Sequence, residues 1–220
     1  MKRKIITTAD GSTTIQLEEW NEQYHSVHGA VREARHVFID QGLDRFESGP
    51  LSVLEIGFGT GLNAFITLLE GVRRGMKIHY TGVEAYPVSA EEVKQLNYVQ
   101  ALGAEAHAAL YVRLHEAPWE VPQEIAENFV LVKRKQSFAD IGDKACFNLV
   151  YFDAFSPRVQ PELWTEDIFA KMYEALKPGG ILVTYSAKGS VRRAMQAVGF
   201  TVERLPGPPG KREMLRAVKH

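Results

Sequence analysis

The stretch that most restricts how this chain can fold runs Leu51-Ser-Val-Leu-Glu-Ile-Gly-Phe-Gly-Thr-Gly-Leu-Asn63 and continues as Ala-Phe-Ile-Thr-Leu-Leu-Glu70. An apolar, β-branched run gives way to glycines at 57, 59 and 61 and then to an apolar, helix-forming segment. The order is strand, tight turn, helix. Alternating glycines remove the Cβ atoms that would keep a bound molecule off the backbone, and they permit positive φ. The helix that follows turns its free N–H groups and the positive end of its dipole toward whatever lies over the turn. A turn with no ligand is the plain alternative, because turns of many kinds require glycine.

The carboxylate of Glu55, on the strand just before the turn, repels a pyrophosphate and attracts an ammonium or a sulfonium. The third glycine follows the second by two residues, so the dinucleotide spacing G-x-G-x-x-G is not met. S-adenosylmethionine therefore fits better than a nicotinamide or flavin dinucleotide, which stays open as a competitor.

With 220 residues the chain is long for one domain and short for two. The expected organisation is an N-terminal extension over residues 1–48, packing on a single domain over 49–220. A net charge of −1 argues against a protein that coats nucleic acid by general basicity, so positive charge for a polyanion must be local. No run approaches the 18 apolar residues of a membrane span. The basic stretch Met1-Lys-Arg-Lys4 lacks the apolar core of a secretory signal, and a cytoplasmic location is expected. Cys146 is the single cysteine, which excludes an internal disulfide and supplies no metal cluster. Beside the apolar run Phe147–Phe152 it reads as a buried, inert thiol.

In the first fifty residues the distinctive pieces are Tyr24-His-Ser26 and His36-Val-Phe-Ile39, the second read as a helix end packing over the first core strand. Lys77–Glu84 is a second strand ending in an acid. Its distance from the glycine turn is what a βαβ unit places between the turn and a ribose-facing carboxylate. Pro87 and Ser89 open a helix predicted over about Ala90–Leu110. Phe129–Lys133 reads as a strand, and Phe147–Asp153 as a continuous apolar strand, buried and parallel, that ends in aspartate. A helix over Glu166–Leu176, capped by Thr165, stops at Lys177-Pro-Gly-Gly180. Strand Ile181–Tyr185 and helix Gly189–Val198 follow. Phe200–Leu205 and Glu213–Val218 form an antiparallel pair around the proline-rich loop Pro206–Arg212. Alternating strands and helices predict an α/β fold with a mainly parallel sheet covered on both faces. Ligands on such a sheet bind beyond the carboxyl ends of the strands, where Glu55, Glu84 and Asp153 are expected to converge.

Five blocks carry a family resemblance: Gly29-Ala-Val-Arg-Glu-Ala-Arg-His-Val-Phe38, Glu55–Asn63, Phe152-Asp-Ala-Phe-Ser-Pro157 with Pro161-Glu-Leu-Trp164, Lys188-Gly-Ser-Val-Arg-Arg193 and Gly210-Lys-Arg-Glu-Met214. They resemble class I methyltransferases and, more narrowly, the methyltransferase domain of the bifunctional MnmC family, which modifies the tRNA wobble uridine. The glycine turn and the Lys-Pro-Gly-Gly turn are general to methyltransferases, whereas the Asp153–Pro157 with Pro161–Trp164 block and the Gly210–Met214 end are far more restricted. In the bifunctional family a flavin-dependent oxidase domain follows. Here the sequence stops at His220, so the expectation is a stand-alone form that methylates an amine supplied by other enzymes.

The resemblance implies a Rossmann-like sheet of seven strands with a C-terminal antiparallel hairpin, and S-adenosyl-L-methionine as cofactor without a metal. The implied reaction is N-methylation of 5-aminomethyl-(2-thio)uridine at position 34 of tRNA, to the 5-methylaminomethyl nucleoside. Gly57, Phe58, Gly59, Thr60, Gly61 and Asn63 would hold the methionine and ribose, with Glu55 beside them and Glu84 on the ribose hydroxyls. Asp140 is the weak candidate for adenine. Asp153 would either accept the amine proton or bind the ammonium of the cofactor's methionine. Tyr24 and Phe155 would wall the pocket, and Trp164 would stack on a flipped anticodon base. Lys188, Arg192 and Arg193, with Lys211 and Arg212, would meet phosphates of the anticodon stem-loop. A small-molecule amine or catechol methyltransferase, or a scaffold without catalysis, are the rival readings.

Overall fold

The computed structural model describes residues 2–47 and 49–220, so Met1 and the expected boundary residue Ser48 lie outside the described residues. A three-stranded antiparallel sheet comes first, from β1 (Arg3–Thr7), β2 (Thr13–Leu17) and β3 (Glu22–Gln23). The short helix α1 (Ala30–Ala34) runs on into a π-helical turn over Arg35–Asp40.

The main body alternates as the glycine turn requires. β4 (Leu51–Ile56) leads into α2 (Leu62–Arg74), then β5 (Ile78–Val83), α3 (Ala90–Val93), α4 (Tyr98–Ala101) and α5 (Ala108–Glu116). β6 (Gln123–Ala126), β7 (Phe129–Arg134), β8 (Phe147–Phe152), α6 (Glu166–Ala175), β9 (Leu176–Thr184), α7 (Gly189–Ala197), β10 (Thr201–Pro206) and β11 (Glu213–Val218) complete it. The main sheet has the order β10-β11-β9-β8-β4-β5-β7-β6, and β9, β8, β4, β5 and β7 pair in parallel.

The sheet therefore has eight strands rather than seven. The additional one, β6, turns back on β7 through Asn128 at φ 64°, a left-handed position that asparagine tolerates. The helix predicted over Ala90–Leu110 is broken into α3, α4 and α5 with a 3₁₀ turn before α5. Its interruption has a cause at Asn97, whose side chain accepts from Thr13 N (2.8 Å) and donates to Gly11 O (2.9 Å), tying this segment to the N-terminal sheet. β9 begins at Leu176, ahead of the predicted Ile181, because Lys177–Gly180 stay in the strand as a register-shifting bulge. Cys146 is exposed, a correction to its reading as a buried thiol, since the turn before β8 carries it outside the apolar run.

Side-chain alternation sorts the sheet residues into two cores. Leu51, Val53, Leu149, Tyr151, Ile181 and Val183 pack with α2 and α5 on one face. Leu54, Ile56, Val150, Phe152 and Leu182 pack with α6 and α7 on the other. Gly82, in β5, marks where the glycine turn folds back over the sheet. A Cβ there would stand 2.4 Å from the Phe58 ring, and that ring is boxed in by His115 and Trp119. Gly82→Ala is expected to cost about 1–3 kcal/mol through overpacking, read as a lower urea midpoint with an unchanged slope. An unaltered midpoint would show that Phe58 is free to move.

Candidate active site

The carboxyl ends of β4, β5 and β8 and the N-terminal segment enclose a crevice of about 800 Å³. Gly57 closes the end of β4 at φ 89°, so tightly that a Cβ would lie 2.7 Å from the carbonyl oxygen of Asp153. Only glycine serves there. Gly57, Phe58, Gly59 and Thr60 line the floor, with Glu84 and Tyr86 from the loop after β5, Ser137 and Phe138 after β7, and Asp153 to Phe155 after β8. The glycine turn is held from below: Gly57 N and Phe58 N both donate to Val83 O at 3.0 Å, and Gly59 N donates to Glu84 Oε2 at 3.0 Å.

The three acids end up in different places. Glu84 faces the crevice and also accepts from Tyr86 N (2.8 Å). Asp153 faces it with a side chain only 8% exposed. Glu55, expected beside them, is fully buried and sealed off under α2. The Asn63 carboxamide bridges the gap, donating to Glu55 Oε1 (2.9 Å) and to Asp153 Oδ2 (2.8 Å). Glu55 thus acts on the crevice through Asn63, while the buried Tyr80 hydroxyl acts on the same carboxyl group. Burial drives the Glu55 carboxyl well above the usual range; the Tyr80 hydroxyl and Asn63 oppose this, while the charges of Asp153 and Glu84 add to it. Burial also pushes Asp153 up to about 7, reinforced by Glu33 and opposed by Asn63 and Lys211.

Of the other predicted residues, Tyr24 and Phe155 line the crevice and meet edge to face at 4.9 Å. Gly61 lies outside it, against the His115 ring. Asp140 is exposed and lies past the lining residues Ser137 and Phe138. Trp164 corrects an expectation: it is buried against Phe152, its indole N–H donates to Phe155 O (2.8 Å), and it offers no face to a base. Lys211, on the 206–212 loop, pairs with Glu33 of α1, stands 3.9 Å over the Tyr185 ring, and borders both the crevice and the shallow depression beside it. Lys188 and Arg212 border a shallow depression next to the crevice, whereas Arg192 and Arg193 line neither.

Sequence reasoning missed what the N-terminal segment contributes. Trp20, Glu22, His25 and Glu33 all line the crevice. Trp20 sits half-buried at 5.9 Å from Phe155, on a hairpin tied down by Arg158, which donates to Trp20 O (3.4 Å) and Glu22 Oε2 (3.0 Å). The signal available was Tyr24-His-Ser26, a polar and aromatic cluster without helical or strand periodicity. Counting the lining, five carboxylates (Glu22, Glu33, Glu84, Asp153, Glu162) face two cations (Arg3, Lys211). A crevice of that balance favours a cationic guest and repels phosphate.

The glycine cradle, the crevice-facing Glu84 and the apolar Phe58 and Phe138 suit a nucleoside carrying a sulfonium. Residues 124–220 match the model of a family described as S-adenosyl-L-methionine-dependent methyltransferase. The chain is similar to the protein called tRNA 5-methylaminomethyl-2-thiouridine biosynthesis bifunctional protein MnmC from Leptospira borgpetersenii. Those two are 28% identical over 218 residues, 90% of this chain and 32% of that protein. The protein of the same name from Paracidovorax citrulli is 31% identical over 216 residues, 90% of this chain and 33% of its own length. The chain thus spans about a third of the length of these curated relatives. The crystal structure of MnmC2 from Aquifex aeolicus superposes with a TM-score of 0.79 at 28% identity, covering 98% of this chain and 69% of that one. Spermidine synthase from Thermotoga maritima, with a TM-score of 0.56 at 16% identity over 99% of this chain and 68% of that one, shares the fold alone. Sheet order, glycine cradle and the match over residues 124–220 agree: this chain has the fold of the class I S-adenosyl-L-methionine-dependent methyltransferases.

Proposed function

We propose that the chain N-methylates the primary amine of 5-aminomethyl-(2-thio)uridine at the wobble position of tRNA. The observation that carries this reading is Asp153. It is a carboxylate at the crevice floor, buried enough to titrate near 7 and surrounded by acids that favour an amine. The relatives' name, which concerns biosynthesis of 5-methylaminomethyl-2-thiouridine in tRNA, supports the choice of substrate.

When bound, S-adenosyl-L-methionine supplies a methyl carbon that the amine lone pair takes as the carbon–sulfur bond breaks, leaving a neutral thioether. The glycine turn and Glu84 hold the nucleoside part, and Phe58 and Phe138 flank it. A primary amine is mostly protonated near neutral pH and must shed a proton to attack. Asp153 accepts that proton and orients the nitrogen; a carboxylate with a pKa near 7 releases the proton again to solvent between turnovers. Glu33 and Glu84 keep positive charge welcome on the way in. The uracil ring, extruded from the anticodon loop, rests against the aromatic wall formed by Trp20 and Phe155, and phosphates remain outside at Lys188 and Arg212. The aminomethyl group comes from other enzymes, and a cytoplasmic setting follows from the tRNA substrate.

The test is incubation with S-adenosyl-L-methionine and tRNA from cells unable to methylate the aminomethyl group, followed by digestion to nucleosides. The 5-methylaminomethyl nucleoside is expected; its absence from every such tRNA overturns the reading. The active form of Asp153 is the ionised one and its pKa is raised, so activity should climb with pH through about 7. A bound sulfonium draws that midpoint somewhat lower. Asp153→Asn is expected to slow methyl transfer by about 10²–10⁴-fold and to abolish the limb. Trp20→Ala is expected to raise the KM for tRNA by roughly 5- to 100-fold, with cofactor affinity unchanged by calorimetry. An unaltered KM would remove Trp20 from the substrate wall.

A further inference from the structure

We propose that His25 is a positioning residue for Asp153: it aims a ring N–H at that carboxylate, in an orientation fixed through the Thr60 hydroxyl of the glycine turn. This rests on Asp153 being the proton acceptor, and adds a residue from the N-terminal segment that no family likeness assigns.

The hydrogen bonds determine which ring nitrogen carries the proton. Thr60 is buried, and its hydroxyl lies 2.8 Å from His25 Nε2 while accepting from the Tyr98 hydroxyl at 3.1 Å. The Thr60 carbonyl is separately engaged by the Tyr111 hydroxyl at 3.2 Å. A buried hydroxyl carries one proton and has to donate it. Tyr98 already donates inward, so the Thr60 proton goes to His25 Nε2, which must be the unprotonated nitrogen of a neutral ring. The ring proton then sits on Nδ1, and Nδ1 faces Asp153 Oδ2 at 4.0 Å. Burial presses the His25 pKa down to about 4, with Glu33 opposing and Lys211 assisting, so the ring is neutral near pH 7. The contact is accordingly a dipole directed at a carboxylate and not an ion pair. At 4.0 Å it is looser than a hydrogen bond, as catalytic contacts often are before substrate closes the site.

Two N–H groups thus converge on one oxygen. Asn63 Nδ2 reaches Oδ2 from α2 and His25 Nδ1 approaches it from the loop after β3. With Oδ2 held, Oδ1 becomes the oxygen that takes the amine proton. Glu33 on α1, Lys211 on the 206–212 loop, Glu55 on β4, and the hydroxyls of Tyr80, Tyr98 and Tyr185 also act on Asp153 or feel its charge. The three tyrosines are all pushed upward by burial and stay protonated, so they add no charge that changes near pH 7. Because Thr60 belongs to the cofactor turn, whatever orders that turn also orders the ring that faces the acid.

Two amides separate the two halves of this contact. Asparagine at 25 can set an N–H where Nδ1 lies but falls short of Thr60. Glutamine reaches Thr60 and leaves Asp153 without the donor. The measurement is a carboxyl ¹³C NMR titration of Asp153 in the folded chain without cofactor or tRNA, the signal being assigned by Asp153→Asn. His25→Phe and His25→Gln are expected to raise the Asp153 midpoint by roughly one pH unit, and His25→Asn to return it most of the way. The acid limb of methyl transfer should move in parallel. An unmoved midpoint in the Phe and Gln variants overturns the proposal. So does rescue by Gln but not Asn, which would make the ring a prop for Thr60 alone. Should the Phe variant not fold, the amide pair decides the matter. The titration needs no substrate, so a shifted midpoint in a chain that makes no methylated uridine would leave the His25 contact standing and remove only the tRNA reading.

Discussion

The site depends on how closely two backbone segments approach at Gly57 and Asp153. Asp153 N donates to Ile56 O at 2.9 Å, and the Gly57 Cα faces the Asp153 carbonyl at a separation that admits no Cβ. On the other side, Gly57 N and Phe58 N hang from Val83 O. The carboxyl ends of β8, β4 and β5 are thereby pinned together within a residue or two of the turn. Backbone contacts, which are stiff, set the spacing between the glycine-turn floor and the acid, while side chains only finish it. That is an economical way to hold reacting groups, because a hydrogen-bonded sheet loses little further freedom when a ligand arrives.

Asn63 adds the second restraint. Glu55 and Asp153 are two carboxyl groups on adjacent strands, and both are driven upward by burial. A single carboxamide in the first turn of α2 donates to each. Its position follows from the glycines: the helix can begin at Leu62 only because Gly61 adopts φ 71° directly before it. Helix start, buried acid and crevice acid are therefore one connected unit.

The parallel core was legible because strands buried on both faces are written as unbroken apolar runs, and Glu84 and Asp153 were legible because they terminate two of them. The inward seat of Glu55 was also written, in parity. It shares a sheet face with Val53, and that face packs under α2. The expectation that it meets ligand directly overlooked this alternation. Trp164 and Lys211 had no such signal. Trp164 is claimed by an aromatic cluster and by the carbonyl of Phe155, nine residues away. Lys211 finds Glu33 178 residues distant in the chain. Pairings over that range leave no trace in local spacing, so a basic doublet reads as solvated whether or not one of its members is paired.

An acidic crevice with few cations is costly to keep dry, since each buried carboxylate resists losing its water. The structure meets that cost in part by letting Asp153 hold a proton up to about pH 7, and in part with the Lys211–Glu33 pair. What remains favours a guest that brings positive charge. The proposed reaction presents two: a sulfonium, and an amine that arrives protonated. The same field opposes phosphates, so a tRNA substrate has to leave its backbone at the rim and insert only the base with its aminomethyl arm. On this reading, selectivity for an extruded nucleoside arises from repulsion of everything attached to it as much as from contacts to the base. Glu22 and Glu33, which the N-terminal segment adds to this lining, are paired with Arg158 and Lys211, so the repulsion falls chiefly to Glu84, Asp153 and Glu162.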